Sequence, residues 1–185
     1  MTEAIKNIMD RNSCRDYKSN PLSDEQVKTL VEAALAAPSA MNLMPWHLTV
    51  ITDKSFIEEL DSEGMAILKA AEDQSGYERY KARGGKMLYG APSLFVISAQ
   101  KDAFWAGIDS GILCQNLAIA AESMGLGSVM IGMLRVPLDG ARGAEFKKRM
   151  QFPEGYEFAI SILVGEVNEG KVPHDLDFNK VSYVK

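Results

Sequence analysis

The stretch APSAMNLMPW, residues Ala37 to Trp46, breaks a strong helix pattern and sets small polar residues beside large apolar ones. The stretch before it, PLSDEQVKTLVEAALAAP, carries apolar residues at three- and four-residue spacings, which predicts an amphipathic helix. Ser23 and Gln26 predict a capping box at its start, and Pro38 predicts its end, because proline disfavours a helical residue before it. The chain therefore leaves a well-formed helix and enters a segment whose side chains are candidates for binding.

Two kinds of side chain in this segment suit a flat ligand with a polar edge. Ser39 and Asn42 donate or accept hydrogen bonds, and the asparagine amide can pair with an imide edge. Met41, Met44 and Trp46 offer a polarisable apolar surface on which a planar ring can lie. The alternative is a connecting loop whose methionines and tryptophan are simply packed in the core, and the segment alone does not decide between the two.

A cluster of cations stands earlier in the chain, in RNSCRDY, directly after a predicted helix over residues 2–10. Arg11 and Arg15 flank Ser13, and guanidinium groups present fixed forks of donors that match a phosphate. The serine hydroxyl adds a further donor. These residues predict a site for one phosphate monoester, and the alternative is a solvated run of surface charges.

The stretch GLGSVMIG contains several glycines but no dinucleotide-binding fingerprint, since it lacks the GxGxxG spacing and follows a helix. Gly125 is instead expected to end that helix, and Gly132 lies near the end of a predicted strand. A glycine there lets a ligand approach backbone N–H groups, although a packing glycine is the alternative. RGGK, residues 83–86, lacks the first glycine and the final Ser or Thr of a P-loop.

Strand and helix patterns alternate along the chain, which indicates a layered α+β or α/β domain. Strands are predicted at 47–53, 93–99, 127–133 and 156–167. Helices are predicted at 2–10, 54–73, 103–124 and 139–150, besides the helix before Ala37, with a loop or broken helix at 81–92. The helix at 103–124 is apolar nearly all round, which predicts a central position or an interface, while residues 168–185 show no strong period.

The composition narrows the classes of protein to which the chain can belong. It has 185 residues, of which 46% are hydrophobic and 24% charged, as expected for one globular domain. A net charge of -5 argues against a nucleic-acid binder with a broad basic surface. No apolar run reaches the length of a membrane span and the N-terminus lacks an apolar signal core, so we expect a cytoplasmic protein. The two cysteines and two histidines match no metal-ligand spacing, and no metal site is predicted.

Taken together and in this order, the three motifs resemble the FMN-dependent nitroreductase family. Its members carry an arginine–serine–arginine cluster after the first helix, an APSxxNxxPW segment after the next, and a GLGS turn into a strand that ends in glycine. The resemblance spans most of the chain and is weakest over 60–92 and after 168. It implies one domain over residues 1–185, with a central mixed, mainly antiparallel sheet flanked by helices and a C-terminal extension that reaches the partner subunit.

The resemblance also implies a set of cofactor-binding positions. It assigns the FMN phosphate to Arg11, Asn12, Ser13 and Arg15, and the isoalloxazine ring to Pro38, Ser39, Ala40 and Asn42. The backbone around Ile131 and Gly132 would face the ring, with an N–H directed at flavin N5. Ile131 stands where some members have glutamate, so no acidic group is expected beside N5. Lys171 and His174 are further candidates for the phosphate, with the register of that segment left open.

The activity implied by the resemblance is that of an FMN-dependent NAD(P)H oxidoreductase that reduces nitroaromatic or quinone-like acceptors. A reduced nicotinamide, NADH or NADPH, gives hydride to flavin N5 and leaves, and the acceptor then takes its place, which is a ping-pong scheme. No protein acid, base or nucleophile is assigned. Members are homodimers with two FMN sites built from both subunits, and the helix at 103–124 is a candidate for the dimer interface. The alternatives are a dehalogenase-like flavin enzyme of the same fold and a non-enzymatic FMN-binding or sensing dimer.

Overall fold

A four-stranded sheet forms the centre of the computed structural model, which describes residues 1–170 and 172–185. The strands are β1 (Trp46–Ile51), β2 (Ser93–Gln100), β3 (Gly127–Ile131) and β4 (Tyr156–Gly165), in the order β1-β2-β4-β3. Each neighbouring pair of these strands is antiparallel. One isolated parallel bridge adds residues of the N-terminal segment to β3, so the predicted mixed and mainly antiparallel sheet is confirmed.

Seven helices surround this sheet in the described part of the chain. They are α1 (Glu3–Asp10), α2 (Asp24–Leu35), α3 (Lys54–Ala70), α4 (Ser75–Lys81), α5 (Ala106–Ser123), α6 (Arg135–Asp139) and α7 (Gly143–Arg149). Two short 3-10 turns, Ala40–Asn42 and Phe178–Lys180, complete the list of elements. None of the helices described here is both long enough and apolar enough to cross a membrane.

Both faces of the sheet are covered, as the apolar run SLFVISA in β2 predicts for a strand buried on both sides. Leu94 and Val96 belong to one core cluster with side chains of α3, α6 and α7. Phe95 and Ile97 point the other way, into a second cluster with α2 and α5. The domain is therefore a sheet between two helical layers, and the predicted α+β class is confirmed.

The predicted capping box of α2 is present. The Ser23 hydroxyl accepts from Gln26 N at 3.2 Å, and Gln26 Oε1 accepts from Ser23 N at 2.8 Å. The helix ends at Leu35, three residues before Pro38. The predicted central position of the apolar helix is also confirmed, since α5 contributes Leu113 and other fully buried residues to the second cluster.

Several predicted boundaries are wrong. Helix α5 begins at Ala106 rather than at 103, and β3 ends at Ile131 because the chain then turns into α6. The helix predicted at 139–150 is α7 alone, and α6 precedes it as a separate turn of helix. Helix α4 was not predicted, and α3 ends at Ala70. The last strand stops at Gly165, before the predicted end at 167.

Candidate functional site

The arginine–serine–arginine motif lies on an extended segment at the edge of the sheet. Ser13 forms a parallel bridge with Ser128 of β3, and Cys14 N donates to Ser128 O at 2.9 Å. Cys14 points inward, with 3% of its surface exposed. Arg11, Ser13 and Arg15 are each partly exposed, and Arg15 Nη1 donates to Ser13 O at 3.4 Å. The three predicted residues therefore lie accessible on one segment that is docked against β3.

A glycine allows this segment to approach β3 so closely. A Cβ at Gly127 would lie 2.7 Å from Cys14 Cβ, well inside normal contact distance. The buried Tyr17 also holds the segment in place, because its hydroxyl donates to Cys14 O at 2.9 Å. Burial raises the pKa of Tyr17, so the phenol stays protonated and remains a donor. Gly127 of the GLGS stretch therefore allows the segment with Arg11 and Arg15 to pack against β3.

In its described part, the structure does not bring the side chains of the other residues predicted for the phosphate to Arg11, Ser13 and Arg15. The Asn12 amide donates to Asp10 O at 3.3 Å, so it is turned toward the end of α1. Lys171 lies outside the described residues. His174 is exposed, and the structure shows no contact in its described part between His174 and the arginine segment. Arg11, Ser13 and Arg15 therefore remain the phosphate candidates on the segment docked against β3.

A cavity of about 530 Å³ opens beside Arg15 and contains a second arginine. Arg83, just after α4, lines it together with Tyr89, Glu169 and Gly170. Asp16 also contributes, so carboxylates as well as guanidinium groups face the space. Arg83 is not among the predicted site residues, because RGGK matches no phosphate-binding motif and is separated from Arg15 by most of the first half of the chain.

The loop before β1 has an unusual backbone. Met41, Asn42 and Met44 have φ values of 51°, 55° and 47°, the left-handed region that residues other than glycine rarely occupy. Such conformations cost free energy and are concentrated at functional sites. Three of them within four residues indicate that the loop is held in this shape by its surroundings.

Hydrogen bonds account for how the loop is held. The Ser39 hydroxyl accepts from Met44 N at 2.9 Å across the turn. Ala40 N donates to Oδ1 of Asp109, in the first turn of α5, at 3.1 Å. Sequence reasoning missed Asp109, since 69 residues separate it from its partner.

The predicted apolar surface of the loop is only partly present. Trp46 is 8% exposed and belongs to the core, so its predicted role as a surface for a ring is wrong and the packing alternative holds for it. Met41 and Met44 are 79% and 49% exposed and remain available. Pro38 and Asn42 are exposed as well.

The end of β3 offers backbone rather than side chain. Ile131 is buried, and its carbonyl accepts from the Ser161 hydroxyl at 2.9 Å. A Cβ placed on Gly132 would meet nothing within 4 Å, so packing inside the chain does not require glycine at this position. The space in front of Gly132 is open to a ligand.

The two predicted halves of the site lie at opposite corners of the sheet. The loop leads into β1 at Trp46. Trp46 pairs with Ala99 of β2, and Ala99 pairs with Glu157 of β4. In the arginine segment, Ser13 pairs with Ser128 of β3, and Ser128 pairs with Val164 of β4. Glu157 and Val164 are about 23 Å apart along β4, and β1 and β3 are three strand spacings apart, about 14 Å. A single mononucleotide cannot bridge that diagonal.

Helix α5 gives the same separation independently. Asp109, near its start, contacts the loop at Ala40. Glu122, near its end, lies near Asp10 and Arg11: burial and Asp10 raise the pKa of Glu122, and Arg11 partly offsets this effect. The two helix positions are about 20 Å apart at 1.5 Å per residue. By contrast, Ser128 and Ile131 are only about 10 Å apart along β3.

This fold and these motifs define the class of the protein. The family model described as the Nitroreductase family matches residues 8–166. The chain therefore belongs to the nitroreductase family.

Relatives of known structure and name agree with this assignment. A nitroreductase with bound FMN from Desulfitobacterium hafniense DCB-2 is 43% identical, with a TM-score of 0.96 and complete coverage of both chains. An FMN-dependent nitroreductase from Clostridium difficile R20291 is 29% identical, with a TM-score of 0.83 over 99% of each chain. The NADPH-flavin oxidoreductase of Vibrio harveyi is 33% identical over 175 residues, which are 91% of this chain and 68% of that protein.

Proposed function

We propose that the protein is an FMN-dependent NAD(P)H oxidoreductase that reduces nitroaromatic or quinone-like acceptors. The observation that carries the proposal is that the segment with Arg11, Ser13 and Arg15 pairs with β3, the strand that ends at the open space in front of Gly132. The separation along β3, about 10 Å, suits a phosphate at one end and a ring at the other. The residues present therefore fit FMN.

Each residue group has a separate task in this proposal. When bound, the flavin ring supplies hydride transfer from a nicotinamide to an acceptor in two successive half-reactions. Arg11 and Arg15 hold the phosphate through charge-assisted hydrogen bonds, and Ser13 adds a donor. The backbone N–H groups around Gly132 face the ring, while Ile131 keeps the position free of negative charge. The protein orients the reactants and excludes water, and no side chain acts as acid or base.

We further propose that each site combines two copies of the chain. The diagonal distance between the arginine segment and the loop is too long for one FMN, so the loop of residues 38–44 serves the site of the partner subunit. Exposed apolar side chains support such a homodimer: Phe104 beside α5 is 87% exposed, Ile108 on α5 is 59% exposed, and Phe178 in the tail is 73% exposed. A tail that reaches the partner would cover such side chains.

Steady-state oxidation of NADH and NADPH, with and without a nitroaromatic or a quinone, tests the activity. We expect nicotinamide oxidation that depends on the acceptor, with parallel double-reciprocal plots as in a ping-pong scheme. FMN binding without nicotinamide oxidation would favour the sensing dimer and overturn the proposed activity. Reductive loss of halide from a halogenated aromatic, without nitro or quinone reduction, would favour dehalogenase-like chemistry.

A further inference from the structure

A single carboxylate ties the strained loop to the body of the domain. Asp109 lies in the first turn of α5 and is 3% exposed, and its Oδ1 accepts from Ala40 N at 3.1 Å. Ala40 begins the 3-10 turn that carries the left-handed residues. Among the described hydrogen bonds, the other bonds of residues 38–44 stay within the loop, as between Met44 N and the Ser39 hydroxyl.

Only one of the two carboxylate oxygens of Asp109 is used in this hydrogen bond. Its second oxygen, Oδ2, is buried and has no hydrogen-bond partner in the described part of the chain, and neither has the hydroxyl of the neighbouring Ser110. A buried polar atom without a partner costs free energy, although the positive end of α5 offsets part of the cost for a carboxylate. A neutral acceptor would bind Ala40 N at lower cost, so the charge itself is a candidate for function.

We propose that Asp109 is a positioning residue for the flavin: it fixes residues 39–44 in the left-handed conformation that receives the ring. The inference rests on the proposed function. The negative charge lies one hydrogen bond from Ala40, which is assigned to the ring, and it therefore disfavours the anionic reduced flavin. Asp109 contacts neither substrate nor phosphate in this proposal and acts through the loop.

Two substitutions at Asp109 separate its geometry from its charge. Asp109→Ala removes the acceptor and is expected to weaken FMN and riboflavin about equally, by about tenfold, because both flavins share the ring. Asp109→Asn keeps an acceptor and is expected to bind both flavins within about threefold of wild type. The same variant should raise the midpoint potential of the bound flavin, a change that a purely structural role would not produce.

Asp61 provides a matched control. It is another buried carboxylate, 8% exposed, and its Oδ1 accepts a backbone N–H, that of Leu88, at 2.6 Å in the opposite core layer. Asp61→Ala should lower the thermal unfolding temperature and leave the flavin affinity of the folded protein unchanged. Equal losses of affinity in Asp61→Ala and Asp109→Ala would overturn the inference, as would wild-type affinity in a folded Asp109→Ala.

A second variant tests the same bond from the loop. Ala40→Pro removes the N–H donor, and the residue before it, Ser39, is already extended, with φ −137° and ψ 159°. The proline Cδ would take the place of the N–H hydrogen and collide with Asp109 Oδ1, so this variant is made in the Asp109→Ala background. The double variant should bind both flavins as Asp109→Ala alone does, because the bond is already absent. A further loss of affinity in the double variant would contradict the inference. A wild-type protein that binds no flavin would instead defeat the proposed function itself.

Discussion

At the scale of single residues, an extended backbone turns a short charged run into a site. Arg11, Ser13 and Arg15 are partly exposed on a segment whose Cys14 is buried against β3. The same spacing on a helix would keep Arg11 and Arg15 on one face and turn Ser13 away from them. The sequence motif therefore depends on the isolated bridge between Ser13 and Ser128 for its effect.

Removal of either arginine should weaken FMN selectively. A hydrogen bond to a charged group contributes roughly 1.5–3 kcal/mol, which corresponds to about tenfold to a hundredfold in affinity. Titration of apo Arg11→Ala and Arg15→Ala should show this loss for FMN and almost none for riboflavin, which lacks the phosphate. Lys18→Ala is the control, because it removes one exposed cation, paired with Glu166 at 3.6 Å, just beyond the segment. Equal losses for both flavins would indicate damage to the fold instead.

Two glycines of the same strand region should respond in opposite ways to alanine. A Cβ at Gly132 meets open space, so Gly132→Ala should leave the unfolding free energy of the apoprotein within about 0.5 kcal/mol of wild type and should weaken FMN. A Cβ at Gly127 collides with Cys14, so Gly127→Ala should destabilise the apoprotein by roughly 1–3 kcal/mol. Denaturant unfolding and flavin titration measure the two effects. Unchanged FMN affinity in Gly132→Ala would remove the ring from this position.

At the scale of elements, an ion-pair network joins α3 to α7. Arg142 and Arg149 both contact the Glu59 carboxylate, and Glu145 contacts the same two arginines. The hydrogen bond from Arg142 lowers the pKa of Glu59 below its ordinary value. A lowered pKa means that the carboxylate stabilises the fold above its unfolded pKa and that this contribution is lost as the pH falls through the folded pKa.

Glu59→Gln should therefore lower the thermal unfolding temperature at pH 7. The difference from wild type should shrink below the ordinary glutamate pKa of about 4 and vanish in strong acid, below the lowered pKa of Glu59 in the folded protein. Unfolding scans of both proteins over this pH range measure the effect. Glu58→Gln is a suitable control, because Glu58 pairs only with the exposed Lys54 at 3.9 Å in the described ion pairs. A difference between wild type and Glu59→Gln that is independent of pH would contradict the role of the charge.

The elements that could be predicted are those whose signals are local. The capping box of α2 and the apolar run of β2 depend on neighbouring residues only, and both predictions are confirmed. Helices α4 and α6 are 7 and 5 residues long, too short for a periodic pattern, and tertiary packing decides them. This packing requires glycine at position 143, since a Cβ on Gly143 would collide with Leu138 O at the junction of α6 and α7.

The candidate site was predictable to a similar extent. Arg11, Ser13 and Ser39 belong to local motifs, whereas Asp109 and Arg83 reach the site only through folding. No spacing in the sequence indicates a contact between residues 40 and 109, because it depends on how α5 crosses the sheet. The diagonal separation of the two motifs likewise follows from strand order and register alone.

At the scale of the whole molecule, that separation predicts sites shared between subunits. A chain with Arg11→Ala and Arg15→Ala, mixed with a chain carrying Asn42→Ala, forms heterodimers with one site that carries every defect and one site that carries none. We expect such heterodimers, purified with two different tags, to bind one FMN per dimer at wild-type affinity. Sites built within one chain would each keep a defect, so weak binding at both sites would contradict the shared arrangement. Light scattering should first give about twice the 20.3 kDa of one chain.

The visible spectrum of the purified protein under anaerobic titration with NADH or NADPH tests the central claim most directly. We expect a yellow protein whose flavin absorption is bleached by one of the nicotinamides and restored by a nitroaromatic or quinone. Acid precipitation should release the flavin as FMN, because no residue pattern indicates a covalent link. A colourless protein that takes up no added FMN would contradict the account.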